Sequence, residues 1–535
     1  MAQVEHVVVS DAPPTGTGNA NSVLKTRLIW SSAVVIALVA AGAYISIGDW
    51  PVGTHVDGPK KIHFVLSGEQ DFYHPILMIQ LARLGTGILG YSDVAGAFSV
   101  AQTLTALFGG FLVFATFVLG RMVLSPLTAL AAAFAVAVCP SITVHTQFFK
   151  EDIFLAPLLV MSIAALIWTT ETPTKIRSLI LGLIIGLTIS TKYIGVTVLL
   201  LSIIFILFSS NSNKKERLLS AGILILVSSA VFALINAPLF LDLEMFKGGL
   251  AREADHAITG HQGLALWPSA TLGLMNLKES LLPGLGLPLC IIGLSGLLSP
   301  LVNNNRRYPL FIITAFALVW YAIHEISPMK PYGIERYMVP VAPLLIVLGG
   351  ALLEAIASRN NLPWRQAIVP LVIATAALPA MYGSYRIFGS ENDDPRSLIA
   401  LSGQYLGGGT RILDPFSAFD RDAVMFDAIR GTQAQPDTII RSSLVVDRYL
   451  RYGEGATLGK SGQRILTDIQ GTFVENRWPY IKISNGRPGF SHFNPVVYVI
   501  ATDGNMERTR EIAQVMQILA QKNGIDVSVE VVNSH

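Results

Sequence analysis

The chain has 535 residues, 52% of them hydrophobic and 14% charged, with a net charge of +2 at pH 7 and a mean hydropathy of +0.53. Soluble domains carry roughly 25% charged residues, so this composition excludes an ordinary soluble globule, and the near balance of charge offers no basic surface for nucleic acid. The two cysteines, Cys139 and Cys290, both stand in apolar segments, which excludes a disulfide framework or a cysteine zinc site.

Residues 1–27 are polar and rich in small side chains, and they read as a disordered cytoplasmic tail without a cleavable leader. Apolar runs long enough to cross a bilayer follow at 28–47, 94–120, 127–144, 153–170, 218–240, 284–301, 309–323, 339–357 and 367–385. A further run, 179–210, is too long for one span and is interrupted at Lys192. Lysines and arginines of the short loops (Lys25, Arg27, Arg121, Lys175, Arg177, Lys214, Lys215, Arg217, Arg306, Arg307, Arg359, Arg365) fall on one side only if 179–210 crosses twice. The expectation is a polytopic α-helical membrane domain over 28–385, with about 11 transmembrane helices by this rule. The N-terminus would be cytoplasmic.

Pro75–Leu89 reads as a surface helix whose Ile76, Leu77, Ile79 and Leu84 dip into lipid. Residues 386–535 change character and become rich in Asp, Arg, Gly and Pro. Short β-like runs at 411–413, 438–440, 480–483 and 496–501, a helix at 506–522 and a closing strand at 526–532 predict a soluble α/β domain on the outer side.

Unusual residues gather in the outward loops. The first carries Asp57, Lys60, Lys61 and His74; the second, HTQFFKED, ends in Lys150, Glu151 and Asp152 at a helix start. Lys192 interrupts an apolar run, where an ionisable side chain is a functional candidate. Further along come His256 and His261, then HEISPMKPYGIERYMVPVAP with His324, Glu325, Lys330, Arg336 and Tyr337. Each has a plain structural reading too. Asp-Gly-Pro is good turn chemistry, and Glu151 and Asp152 suit a helix N-terminus. Arg336 suits an interfacial anchor, and His261 an ordinary loop histidine. Together they describe a polar pocket open to lipid. In such a pocket a carboxylate takes the proton of an acceptor hydroxyl, while Lys and Arg hold a phosphate leaving group. A sugar carried on a lipid phosphate is the donor that suits it.

In this order, VDGPKK…GEQDFYHP, FFKED, STKY and HEISPMK…ERYMVPVAP resemble the lipid-carrier-dependent glycosyltransferases of the GT-C fold. Within them, the pattern is most similar to bacterial relatives of protein O-mannosyltransferases and of aminoarabinose and galacturonic acid transferases. The resemblance covers roughly 28–385. It implies an inverting transfer from a polyprenyl-phosphate-linked sugar to an envelope glycan, lipid or protein hydroxyl, at the outer face of a bacterial inner membrane. It makes Asp57 the general base, followed by Gly58 where the family often has Glu. Lys60, Lys192 and Arg336 would bind the donor phosphate. His74, Glu151, Asp152, His261, Glu325 and Tyr337 would position sugar or acceptor. The resemblance names no cofactor, and a divalent cation held by Glu151 and Asp152 is the candidate metal. The competing functions are a transporter or lipid flippase, and a non-catalytic relative that binds carrier lipid.

Overall fold

The computed structural model describes residues 20–47, 58–70, 72–210, 212–259, 264–265, 275–326, 334–359, 364–388, 394–406, 410–412, 437–452, 457–458, 460–485 and 496–533. Of the residues singled out above, Asp57, His261 and Lys330 lie outside them.

The first ten helices are α1 (Ala20–Ser46), α2 (Gly58–Ser67), α3 (Leu77–Leu89), α4 (Val94–Val123), α5 (Pro126–Ala137), α6 (Pro140–His145), α7 (Glu151–Glu171), α8 (Lys175–Thr191), α9 (Val196–Phe208) and α10 (Lys214–Ile235). α1 starts before the apolar stretch, so residues 20–27 are its opening turns and not part of a disordered tail. Leu24, Lys25 and Arg27 are good helix formers and extend it.

Among the described residues, seven helices are long and apolar enough to cross a bilayer. An eighth span is broken: Leu277–Leu285 and Leu287–Val302 meet at 109°. The break falls at Gly286, whose φ of +73° suits glycine, with a proline following in Leu287–Ser295. The span expected over 284–301 corresponds to Leu287–Val302, and Leu277–Leu285 is the arm that precedes it at the bend. Shorter apolar helices complete the bundle, which is the polytopic helical fold expected from composition.

The 179–210 run divides at Lys192. α8 ends at Thr191, a 3-10 turn covers Tyr193–Gly195, and α9 returns. Arg177 donates to Trp168 O, Arg217 donates to Leu207 O and Ser209 O, and Ser209 Oγ donates to Thr170 O at 3.2 Å, so the far ends of α8 and α9 meet at the end of α7. Arg306 and Glu354 meet, and Arg306 donates to Val123 O, which joins the 121–125, 302–307 and 354–359 connections.

Glycine lets helices approach closely. A Cβ on Gly182 would sit 2.8 Å from Val227 Cβ, and one on Gly186 2.6 Å from Val231 Cβ, so α8 and α10 pack backbone against side chain. α3 differs from its expected pose. Ile76, Leu77 and Ile79 are buried inside the protein, and Leu84, Ile88 and Leu89 are the exposed apolar residues. Asn236 Oδ1 accepts the Ile76 N–H at 2.9 Å and Arg83 donates to Phe64 O at 2.9 Å. These bonds dock the front of α3 and turn only its rear outward.

Beyond Phe388 the chain folds on a five-stranded sheet. Along the described chain the strands are β1 (Leu264–Ala265), β2 (Thr410–Ile412), β3 (Thr438–Ser442), β4 (Thr457–Leu458), β5 (Tyr480–Ser484), β6 (Val497–Ala501) and β7 (Ser528–Val532), with β1 and β4 outside the five-stranded sheet. The sheet order is β2-β3-β6-β5-β7, parallel only between β2 and β3. Ile481 and Ile483 alternate inward along β5 and share a face with Val497 and Val499. Helix Met506–Asn523 is capped by Asn505, which accepts the Glu507 and Arg508 N–H groups. Helices Ser443–Tyr452 and Lys460–Gln470 are additions to the sequence reading. β1 pairs antiparallel with β4, Leu264 opposite Leu458, and so ties the chain after helix Leu243–Thr259 to this domain.

Candidate functional site

α7 forms the centre of the site, since 89% of its apolar window is buried. It opens with Glu151 and Asp152 in its first turn, where unpaired backbone N–H groups favour negative charge. Glu151 is 2% exposed and Asp152 4%. Charges buried this deeply persist only with partners.

Each carboxylate has its own set of cations. Lys61, from α2, donates to Glu151 Oε1. Lys150 Nζ stands 3.7 Å and His74 Nε2 4.0 Å from Glu151 Oε2. Lys192 Nζ donates to Asp152 Oδ1 at 2.8 Å, and Arg336 Nε stands 3.6 Å from Asp152 Oδ2. Lys192 reaches this position because the break after Thr191 leaves it extended, at φ −155° and ψ 135°. Lys61, Lys150 and Arg336 are buried as well.

Among the described residues, the cations Lys61, Lys150, Lys192 and Arg336 converge on the two carboxylates, in a setting where a unit pair 4 Å apart interacts by roughly 4 kcal/mol. Glu151 Oε2 and Asp152 Oδ2 accept no hydrogen bond among the described residues.

The surrounding turn is held rigidly. Phe72 adopts a left-handed φ of 52°, uncommon for a bulky residue, and its carbonyl accepts the Tyr193 hydroxyl at 3.1 Å. Asn236 holds Ile76 and donates to Ser190 Oγ at 3.1 Å. Tyr73 and His74 are thereby fixed between two anchors. Burial lowers the His74 pKa from its ordinary value; Glu151 opposes this, while Lys61 and Lys150 add to it.

Tyr337 forms the other wall. His324 stacks on its ring with centroids 4.9 Å apart, Lys192 Nζ lies 5.1 Å from its centroid, and Arg336 donates to its hydroxyl at 3.2 Å. Trp320 Nε1 donates to Tyr337 O at 2.9 Å.

The structure thus brings His74, Glu151, Asp152, Lys192, Arg336 and Tyr337 together. Lys60 stands over two aromatic rings, its ammonium 4.8 Å from the Tyr73 ring centroid and 5.5 Å from that of Phe64. Arg252 lies 4.8 Å from the Tyr73 centroid. Glu325 turns to the backbone, accepting the Met275 and Asn276 N–H groups at 3.1 and 3.0 Å and the Asn276 amide at 2.7 Å. It caps the start of the broken span. Lys61 and Lys150, which the sequence placed in the pocket without a role in the reaction, join the cluster. The signal for Lys150 was its place beside two carboxylates.

Among the described residues, Glu151 and Asp152 face ammonium and guanidinium groups, and no three His, Cys, Asp or Glu side chains gather as metal ligands.

Residues 73–235 match the family model described as dolichyl-phosphate-mannose-protein mannosyltransferase. No curated protein sequence matches the chain. Among solved structures, the chain is similar to ArnT from Cupriavidus metallidurans bound to undecaprenyl phosphate, with a TM-score of 0.51 and 15% identity over 90% of this chain and 98% of that one. It is similar also to the archaeal oligosaccharyltransferase AglB from Archaeoglobus fulgidus, in complex with an inhibitory peptide and a dolichol-phosphate. There the TM-score is 0.51 and the identity 12%, over 84% of this chain and 73% of that one. The chain is therefore a multi-pass membrane protein of the GT-C fold, with the mannosyltransferase family match spanning α7 and the Lys192 break.

Proposed function

We propose that this protein is an inverting glycosyltransferase that moves a sugar from a polyprenyl-phosphate carrier to an acceptor hydroxyl at the outer face of a bacterial inner membrane. The observation that carries the reading is the convergence of Lys61, Lys150, Lys192 and Arg336 on Glu151 and Asp152 at the start of α7. A lipid-linked sugar phosphodiester carries one negative charge, and the phosphate monoester it leaves behind approaches two. Lysine and arginine side chains gathered in this way favour the leaving group over the donor, which is the differential binding that speeds a reaction. The family match and the lipid phosphates bound by ArnT and AglB support the same donor class.

In this reaction the acceptor oxygen attacks the anomeric carbon, and the carbon–oxygen bond to phosphate breaks. The electron pair leaves on phosphate, where Lys192 and Arg336 stabilise it. Asp57, which precedes α2 in sequence, takes the hydroxyl proton. Attack opposite the leaving group inverts the anomer. The charge bias of the loops supports an orientation with the arginine-rich end of the bundle in the cytoplasm and the site and the C-terminal domain outside.

The test is transfer by the purified protein in nanodiscs, supplied with undecaprenyl-phosphate mannose or glucose and extracted envelope acceptors. The expected result is label on the acceptor with the opposite anomer to the donor, and a folded Asp57→Asn reduced by about a hundredfold or more. Retained anomeric configuration, or full transfer by Asp57→Asn, contradicts the mechanism.

A further inference from the structure

His324 has no assigned role in the reaction just described, yet its geometry is specific. Its Nδ1 lies 2.9 Å from Trp320 O, a group that only accepts. In the neutral ring Nδ1 therefore carries the hydrogen and Nε2 the lone pair. Stacking on Tyr337 fixes the ring plane. The ring is half-buried, and among the described residues Nε2 has no hydrogen-bond partner. Lys192, Asp152 and Arg336 are the charged groups acting on it, so it borders the anion cluster.

Around that cluster, Lys61, Lys150, Lys192 and Arg336 are all donors, and Glu151 and Asp152 face them. An ionised phosphate offers only acceptor oxygens, which a nitrogen lone pair repels. What Nε2 takes beside a bound phosphate is a donor, and a sugar attached to that phosphate offers hydroxyls.

We infer that His324 is a specificity-determining residue whose Nε2 accepts a hydrogen bond from a hydroxyl of the phosphate-linked sugar. The inference rests on the proposed donor class and adds to it which residue reads the sugar. It predicts that His324 separates the sugar-bearing lipid from the bare lipid phosphate.

The experiment measures the affinities of wild type, His324→Phe and His324→Gln for undecaprenyl phosphate, undecaprenyl-phosphate mannose and undecaprenyl-phosphate glucose in nanodiscs. His324→Phe keeps a ring on Tyr337 and removes the acceptor. It should bind undecaprenyl phosphate within about twofold of wild type, and lose about tenfold on the better-bound sugar lipid, the scale of one neutral hydrogen bond. His324→Gln, whose amide oxygen restores an acceptor, should recover most of that loss. Unchanged affinity of His324→Phe for the sugar lipids overturns the inference, as does an equal loss on all three lipids. If wild type itself does not bind undecaprenyl phosphate, the donor class falls and the inference with it.

Discussion

Lys192 Nζ and Asp152 Oδ1 form a 2.8 Å hydrogen bond between the break after α8 and the first turn of α7. The break and the buried carboxylate explain each other. A lysine in a continuous apolar helix would face lipid or helix interior at high cost. Extended after Thr191, it reaches a carboxylate at the end of the bundle.

Lys192→Met should lower affinity for undecaprenyl phosphate by about tenfold to a hundredfold, the range for a charge-assisted hydrogen bond. Arg336 still faces Asp152 in that variant. Lys192→Arg should retain part of the affinity. Titration of both variants with the lipid checks this, and an unchanged affinity in Lys192→Met would place the phosphate elsewhere.

Glu151→Gln should destabilise the protein rather than merely slow it. Lys61 and Lys150 would then face a neutral amide while buried. Removing one partner of a buried pair costs about 3–5 kcal/mol. The readout is thermal unfolding in detergent, where Glu151→Gln should melt several degrees below wild type.

Much of this site was legible in sequence, because ionisable residues in apolar surroundings are conspicuous. Lys192, Glu151 and Asp152 stood out that way. The choice between Lys60 and Lys61 was not legible. Neighbouring residues on a helix point about 100° apart, and only the docking of α2 decides which enters the carboxylate cluster. Glu325 read as a site residue, but its partners Met275 and Asn276 lie some fifty positions away. In the C-terminal domain the strands were visible as β-branched runs, whereas helices Ser443–Tyr452 and Lys460–Gln470 are short, polar and without long apolar stretches.

Tyr73 lies within cation–π reach of both Lys60 and Arg252. Tyr73→Ala should cost about 1–2 kcal/mol, since each cation–π contact contributes about 0.5–1 kcal/mol at an exposed site. Tyr73→Phe keeps the ring and should stay within about 0.5 kcal/mol of wild type. Denaturation of the two variants side by side checks this, and equal losses would show that the hydroxyl matters more than the ring.

The depressed pKa of His74 predicts a dependence on pH. Its neutral form is favoured by folding, so between the folded pKa and the unfolded value of about 6.5 the unfolded chain binds more protons. The stability is fully present above about 6.5 and is lost as pH falls through the folded value. The steepest slope for one proton is about 1.4 kcal/mol per pH unit. His74→Gln should flatten this part of the stability profile between pH 6.5 and 5, and a profile identical to wild type would contradict the assignment.

The central claim is that the lysines and arginine gathered around Glu151 and Asp152 hold a lipid phosphate. Its most direct test compares the binding of undecaprenyl phosphate with that of undecaprenol, the same chain without charge, to wild type and to Lys192→Met/Arg336→Met. The account predicts strong preference for the phosphate in wild type and its loss in the double variant. Equal binding of the two lipids by wild type, or a preference that survives in the double variant, would contradict it.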